Sequence, residues 1–339
     1  MMSENEFTYA KSGVNIDSAN KFIEEIKKIT NKAFGSFSEN LGDGFAGSYP
    51  LDNFGSDFVL LSSCDGVGTK VLVAKKANIW NGIGQDLVAM NVNDILVHGG
   101  KPLFFLDYIA CSKLDNKIAL EIVSSIVEAL KPTGGVLLGG ETAEMPDLYK
   151  KGDWDLSGFV VGVVKRASLL PKNIKSGNIL IGLSSNGVHS NGFSLIRKIV
   201  KENKVDILKT NTPKGISLAR ELLKPTKVYY SDVFPFIEKG LINGLAHITG
   251  GGIEGNLIRI LPKNLKAVVK RDFDIPWIFK WISEYGVSED EMYKVFNMGI
   301  GMILVVNPAN VEEILKSLGS NAKIIGKIVA SDERRVEFA

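Results

Sequence analysis

Cysteine is almost absent. Cys64 and Cys111 are the only two in 339 residues, so no disulfide framework exists and a reducing compartment suits the chain. An excess of either charge is also missing: 40 Lys and Arg face 38 Asp and Glu, a formal net charge of +2. The chain therefore shows no electrostatic footprint for nucleic acid. No apolar run approaches the ~18 residues of a membrane-spanning helix, so no membrane partner is expected. Residues 1–20 carry Glu4, Glu6, Lys11 and Asp17 among few apolar side chains. That is not a signal-peptide pattern, and the expected location is the cytoplasm. A Walker phosphate loop, Gly-x4-Gly-Lys-Ser/Thr, is lacking too.

What is present is glycine, 35 in all, about a tenth of the chain against the usual ~7%. The glycines cluster in short motifs, which argues for ligand loops rather than low complexity. A chain of this length is expected to hold two domains at about 150 residues each. Composition and periodicity divide it near Arg166–Pro171, giving expected domains 1–168 and 169–339. Each half alternates strand and helix, an α/β (α+β) pattern with glycine loops at strand ends.

In the first half a helix is expected over Ala19–Thr30, capped by Asp17 or Ser18. Residues 35–56 read as loop, with a turn at Gly42–Phe45. The apolar run Phe58–Leu61 predicts a strand that leads into Cys64-Asp65-Gly66-Val67-Gly68-Thr69-Lys70. Two glycines two apart let backbone approach a ligand. Thr69 and Lys70 suit phosphate, and Asp65 suits the magnesium that accompanies it. Strands are expected over 57–62 and 70–74.

Trp80–Val97 predicts a helix apolar nearly all round, hence buried. It contains Asp86, Asn91, Asn93 and Asp94, while no Lys or Arg occurs from Ala77 to Gly100. A buried, unpartnered carboxylate costs several kcal/mol. Asp86 and Asp94 thus need a cap, a distant basic residue or a metal ion. Leu103–Ala110 predicts a strand interrupted by Asp107, and Asp115 caps the next helix, ended by Pro132. Gly134–Thr142 predicts a strand opening into a second glycine loop, with Gly139, Gly140, Glu141 and Thr142 repeating the chemistry of the first motif. Trp154–Val164 reads as another strand.

In the second half, strand Ile179–Leu183 runs into Ser184–Phe193 and a helix, a natural anion site. His189 lies in that loop beside Ser190 and Asn191. Leu245–Thr249 predicts a strand ending at Gly250–Gly252. Helices are expected near 216–223, 231–239, 253–260, 276–284 and 309–318, with strands at 265–270, 297–306 and 322–330, then a short tail.

Seven motifs then stand in one order: Asp65–Lys70, Gly84–Asp94, Pro102–Tyr108, Gly139–Pro146, His189–Leu195, His247–Gly252 and Phe296–Met302. Together they resemble the phosphoribosylformylglycinamidine cyclo-ligase (aminoimidazole ribonucleotide synthetase) family of purine biosynthesis. The resemblance covers essentially the whole chain and is densest over 60–165. It departs from the family at Asn15, Val188 and Ile253–Glu254, where Asp, Pro and an aromatic are usual. The resemblance implies a homodimer whose N-terminal mixed sheets complete a β-barrel between subunits, with a C-terminal α/β half-barrel beside it. It implies ATP and magnesium as cofactors and formylglycinamidine ribonucleotide as substrate. Within it, Asp65, Asp94 and Glu141 are expected to hold the metal. Gly66, Gly68, Thr69, Lys70, Gly139 and Gly140 would meet the nucleotide. His189, Asn191 and Lys70 would act in catalysis. Ser190, Asn191, Thr249, Gly250 and Gly251 would bind substrate, the loop 184–187 competing with 249–252 for the ribose phosphate. The rivals are fold relatives (selenophosphate synthetase, thiamine-phosphate kinase, formylglycinamidine synthetase) or a non-enzymatic scaffold with a degenerate nucleotide site.

Overall fold

The structure is a computed structural model that describes residues 16–34 and 57–339. In chain order the first half comprises α1 (Ile16–Phe34), β1 (Phe58–Gly66), α2 (Lys70–Ala77), α3 (Ile83–Leu96), β2 (Lys101–Cys111), α4 (Asn116–Leu130), β3 (Val136–Glu144) and β4 (Trp154–Lys165). The second half comprises β5 (Ile179–Ser184), α5 (Phe193–Glu202), α6 (Leu218–Leu222), α7 (Tyr230–Glu238), β6 (Ile242–His247), α8 (Gly252–Leu257), β7 (Leu265–Val269), α9 (Trp277–Ser283), α10 (Glu289–Val295), β8 (Ile300–Val306), α11 (Val311–Leu318), β9 (Ala322–Ala330) and β10 (Arg335–Phe338).

Two mixed sheets result. The first has the order β1-β4-β2-β3, with β2 and β3 parallel and the other pairs antiparallel. The second has the order β10-β7-β9-β5-β8-β6 and lies wholly in the second half. This is the mixed α/β architecture expected. Helix α3 packs on the first sheet, and its residues from Ile83 to Leu96 are nearly all buried. Asp115 caps α4 as expected, its Oδ1 accepting from the amides of Lys117 and Ile118.

Among the described residues no helix packs on the opposite face of the first sheet, which exposes several large apolar side chains. Leu60 is 56%, Tyr108 39% and Phe159 38% exposed there. Exposure alternates along β1 at Leu60, Ser62 and Cys64, so this is one continuous pleated face.

The structure corrects several expectations. Residues 70–74 form the start of α2, not a strand. Strand β1 runs through Asp65 and Gly66, and Gly68 at φ +67° turns the chain into a helix. The β-branched Val71 and Val73 pack with Lys70 and Ala74 into the core at helical spacing. The glycines at 139–140 lie inside β3 rather than in a loop. Helix α1 spans Ile16–Phe34, so Asp17 and Ser18 lie within it rather than ahead of it. The turn expected at Gly42–Phe45 and the departure at Asn15 lie outside the described residues. Two elements lacked a forecast. Helix α10 is capped by Ser288. The chain end pairs as β10 in parallel with β7.

Candidate functional site

The site begins where β1 ends. Asp65 pairs across the sheet with Gly158 on β4, which pairs with Asp107 on β2, which pairs with Gly140 on β3. Cross-strand partners share a face, and this row looks toward the helices. Asp65 Oδ1 accepts from the Gly66 amide at 2.7 Å, and its carbonyl accepts from Asn91 Nδ2 of α3 at 3.2 Å. Burial raises the Asp65 pKa, and the charge of Asp94 adds to it; the Gly66 amide and His247 act the other way.

Asp94, one turn further along α3, has its side chain 42% exposed. Its Oδ1 lies 2.9 Å from His247 Nδ1, at the end of β6. Asn93 fixes the imidazole. Its Oδ1 accepts from the Tyr229 amide, and its Nδ2 lies 2.9 Å from the Lys227 carbonyl and 3.3 Å from His247 Nε2. The donor on that side leaves Nε2 as acceptor, so Nδ1 carries the proton toward Asp94. In the sequence His247 stands in the motif His247–Gly252, but no local signal pairs it with a helix 153 residues away.

Lys70 is not where a phosphate could meet it. Its ammonium is fully buried and donates to Asp86 Oδ1 at 2.8 Å, the His189 carbonyl at 3.0 Å and the Lys224 carbonyl at 2.8 Å. An ammonium has three N–H donors, and these partners use them all. Asp86 Oδ1 also accepts from the Thr226 amide, the Thr226 hydroxyl and the Ser190 hydroxyl. The distant basic residue that Asp86 requires is thus Lys70.

Glu141 does not join Asp65 and Asp94. Side chains alternate along a strand. Gly140 pairs with Asp107, and Glu141 pairs with Tyr108 on the open face. Among the described residues no three His, Cys, Asp or Glu side chains stand where they could hold a metal ion. The third acid on the Asp65 face is Asp107, which is buried and whose pKa burial pushes up to about 7. A Cβ on Gly140 would strike its carboxylate and carbonyl. In the sequence Asp107 registers only as a polar break in an apolar run.

His189 is buried at φ +64° and 1% exposed. Its Nε2 accepts from the Asn186 amide at 3.1 Å, and its Nδ1 has no partner among the described residues. Burial pushes its pKa well down, and His247, Lys70 and Lys227 act in the same direction. The ring is therefore neutral and packs near Tyr229. Gly301 makes room for it, since a Cβ there would meet both rings. Asn191 is half-buried and faces the next loop, its Oδ1 3.6 Å from where a Gly250 Cβ would stand. Asn256 shapes that loop by donating to the carbonyls of Thr249, Gly250 and Gly252. Asn297 holds the loop 184–188 by donating to the carbonyls of Gly187 and Val188. Thr69 Oγ1 lies 3.4 Å from Ser194 Oγ, a further bridge between halves. Asn93, Asn256 and Asn297 escaped sequence reasoning because their work is with backbone far away or around a turn.

Comparison with known proteins fits this arrangement. Residues 48–164 match the AIR synthase related protein N-terminal domain family, and residues 175–338 match the corresponding C-terminal domain family. The chain is 46% identical over 332 residues to the phosphoribosylformylglycinamidine cyclo-ligase of Clostridium perfringens, covering 96% of this chain and 98% of that protein. It is 44% identical over 330 residues to the chloroplastic/mitochondrial protein of that description from Vigna unguiculata, covering 96% and 82%. Among solved structures, thiamine-monophosphate kinase from Stenotrophomonas maltophilia superposes with a TM-score of 0.62 at 18% identity, over 84% of this chain and 86% of that one. HypE of E. coli, a hydrogenase maturation protein, gives 0.64 at 14% identity, over 93% of each. At these identities the two structures show a shared fold.

Proposed function

The chain belongs to the phosphoribosylformylglycinamidine cyclo-ligase family, and we propose how its own residues divide the work of that reaction. The enzyme is an ATP-dependent ligase of purine biosynthesis. It closes formylglycinamidine ribonucleotide to 5-aminoimidazole ribonucleotide and gives ADP and phosphate.

The chemical obstacle is the formyl oxygen, a poor leaving group. In our reading the γ-phosphoryl group passes to that oxygen, the amidine nitrogen attacks the formyl carbon, and the oxygen departs as phosphate. Phosphoryl transfer depends mainly on positioning and charge stabilisation. The observation that carries the assignment is the bond from His247 to Asp94, which brings an acid of the first half against the second. Asp65 and Asp94 lie close enough to raise the Asp65 pKa. Magnesium takes one or two carboxylates plus phosphate oxygens and neutralises their charge, so this pair would hold it; we do not assign Glu141 to it. Gly66, Gly68 and Thr69 line the nucleotide side, and β3, the edge strand among the described residues, offers bare backbone at Gly139–Gly140. Asn191 and Ser190 contact the substrate, with the neutral His189 behind them setting the loop. Thr249, Gly250 and Gly251 take the ribose phosphate, because Asn256 occupies the carbonyls and leaves the amide side for an anion.

We place the domain division at 168/169, where the strands of the first sheet end and those of the second have yet to begin. The apolar face around Leu60, Tyr108 and Phe159 supports a homodimer built sheet to sheet. Among the described residues no helix is long and apolar enough to cross a membrane, and we place the enzyme in the cytoplasm. The test of the reaction is a mass spectrum of products from ATP and formylglycinamidine ribonucleotide. The imidazole product should form with ADP, and ADP should appear only when substrate is present. ADP release without substrate, or no imidazole, overturns the reading.

A further inference from the structure

The pair of Lys70 and Asp86 does more than satisfy two buried charges. Lys70 is the first residue of α2 and Asp86 lies in the first turn of α3, so both belong to the first half. Nearly everything else they touch belongs to the second. Lys70 Nζ takes the carbonyls of His189 and Lys224. Asp86 Oδ1 takes the Thr226 amide at 2.7 Å, the Thr226 hydroxyl at 2.6 Å and the Ser190 hydroxyl at 3.1 Å. Ser190 Oγ and Thr226 Oγ1 are themselves 2.9 Å apart. Asn186 Nδ2 donates to the Pro225 carbonyl, which ties the two segments to one another.

Two chain segments, 186–190 and 224–226, are thus fastened to one carboxylate oxygen and one ammonium. The arrangement is lopsided: Asp86 Oδ2 is buried with no partner among the described residues. A buried ion pair contributes little net stability against a hydrophobic replacement, and its better-attested use is to fix one arrangement among several. Here the fixed arrangement is specific. The pinned carbonyl belongs to His189, held at φ +64°, and Asn191 follows two residues later. Two residues beyond that carbonyl, Asn191 Oδ1 faces Gly250.

We infer that Lys70 and Asp86, with Thr226, are positioning residues that set the 189–191 loop against the first half, so that Asn191 meets the substrate in register with the nucleotide held at Asp65–Thr69. The inference rests on the functional reading above and deepens it. Lys70 governs the substrate end of the site although it sits in the nucleotide motif.

The test uses the full chain and steady-state kinetics with ATP and formylglycinamidine ribonucleotide. Cyclisation by the unaltered enzyme tests the functional reading; variants compared with it test the latch. Thr226→Val removes one hydroxyl from Asp86 and leaves both charges and the amide. It should raise the KM for formylglycinamidine ribonucleotide about tenfold, the scale of one charged hydrogen bond, while the KM for ATP and the melting temperature stay near wild type. Thr226→Ser keeps the hydroxyl and should restore the substrate KM. Lys70→Met, which removes the pin on His189, should move the substrate KM further in the same direction. Should Lys70→Met fail to fold, the Thr226 pair decides alone. An unchanged substrate KM in Thr226→Val, equal loss for ATP and substrate, or failure of Thr226→Ser to rescue overturns the inference.

Discussion

His247 Nδ1 lies 2.9 Å from Asp94 Oδ1, and this bond joins the end of β6 to α3. Asp94 would otherwise be a helix acid beside Asp65 with no cation from its own segment. The histidine orients the carboxylate, the role expected of a group behind Asp94 if that acid holds the proposed magnesium.

Asp94→Asn should lower turnover roughly a hundredfold or more, the scale seen when a preorganised charge is removed from a reacting centre. Its side chain is 42% exposed, so the melting temperature should change little. His247→Ala should cost roughly 10–100-fold through loss of orientation. Turnover of Asp94→Asn within a few-fold of wild type would refute the cation assignment.

Lys70→Ala leaves Asp86 buried without its counter-charge. Breaking a buried pair from one side costs about 3–5 kcal/mol. For a domain of this size that lowers the melting temperature by roughly 10 °C. Calorimetry of the purified variant checks this. An unaffected transition would mean that Lys70 is not buried against Asp86 in solution.

Asp107 should make stability depend on pH. Burial raises its folded pKa to about 7 from 3.8. Between those values the folded chain holds a proton that the unfolded chain has released. Stability from this group therefore falls as pH rises from about 4 to 7 and levels off above. Asp107→Asn removes the term. Its melting temperature should match wild type near pH 4 and exceed it at pH 8. The same difference at both pH values would contradict the shift.

Much of the fold was legible in the sequence because its most buried elements are almost continuously apolar. The strands at 58–66, 101–111 and 154–165 and the helix at 83–96 announce themselves in this way. Residues 70–74 did not, because Val71 and Val73 favour strands locally while the partners of Lys70 lie up to 154 residues away. The glycine motifs did mark the loops that meet. What each acid does was less legible. Glu141 and Asp65 read alike in one dimension, and only the pleat of β3 puts Glu141 on the open face. His247 and Asp94 are ordinary residues until the chain folds them together.

The homodimer proposed above predicts that Phe159→Glu sediments as a monomer where the unaltered chain sediments as a dimer. The residue is 38% exposed in the single chain, so a charge there is tolerated by the subunit but would be buried unpaired if the two sheets pack together as proposed. A variant that sediments as wild type would place the subunit interface elsewhere.

The fate of one oxygen atom tests the proposed phosphorylation of the formyl group most directly. Formylglycinamidine ribonucleotide labelled with oxygen-18 in the formyl group, turned over by this enzyme with unlabelled ATP, should give inorganic phosphate that carries the label. Label recovered in water instead, with unlabelled phosphate, would contradict phosphorylation of the formyl oxygen.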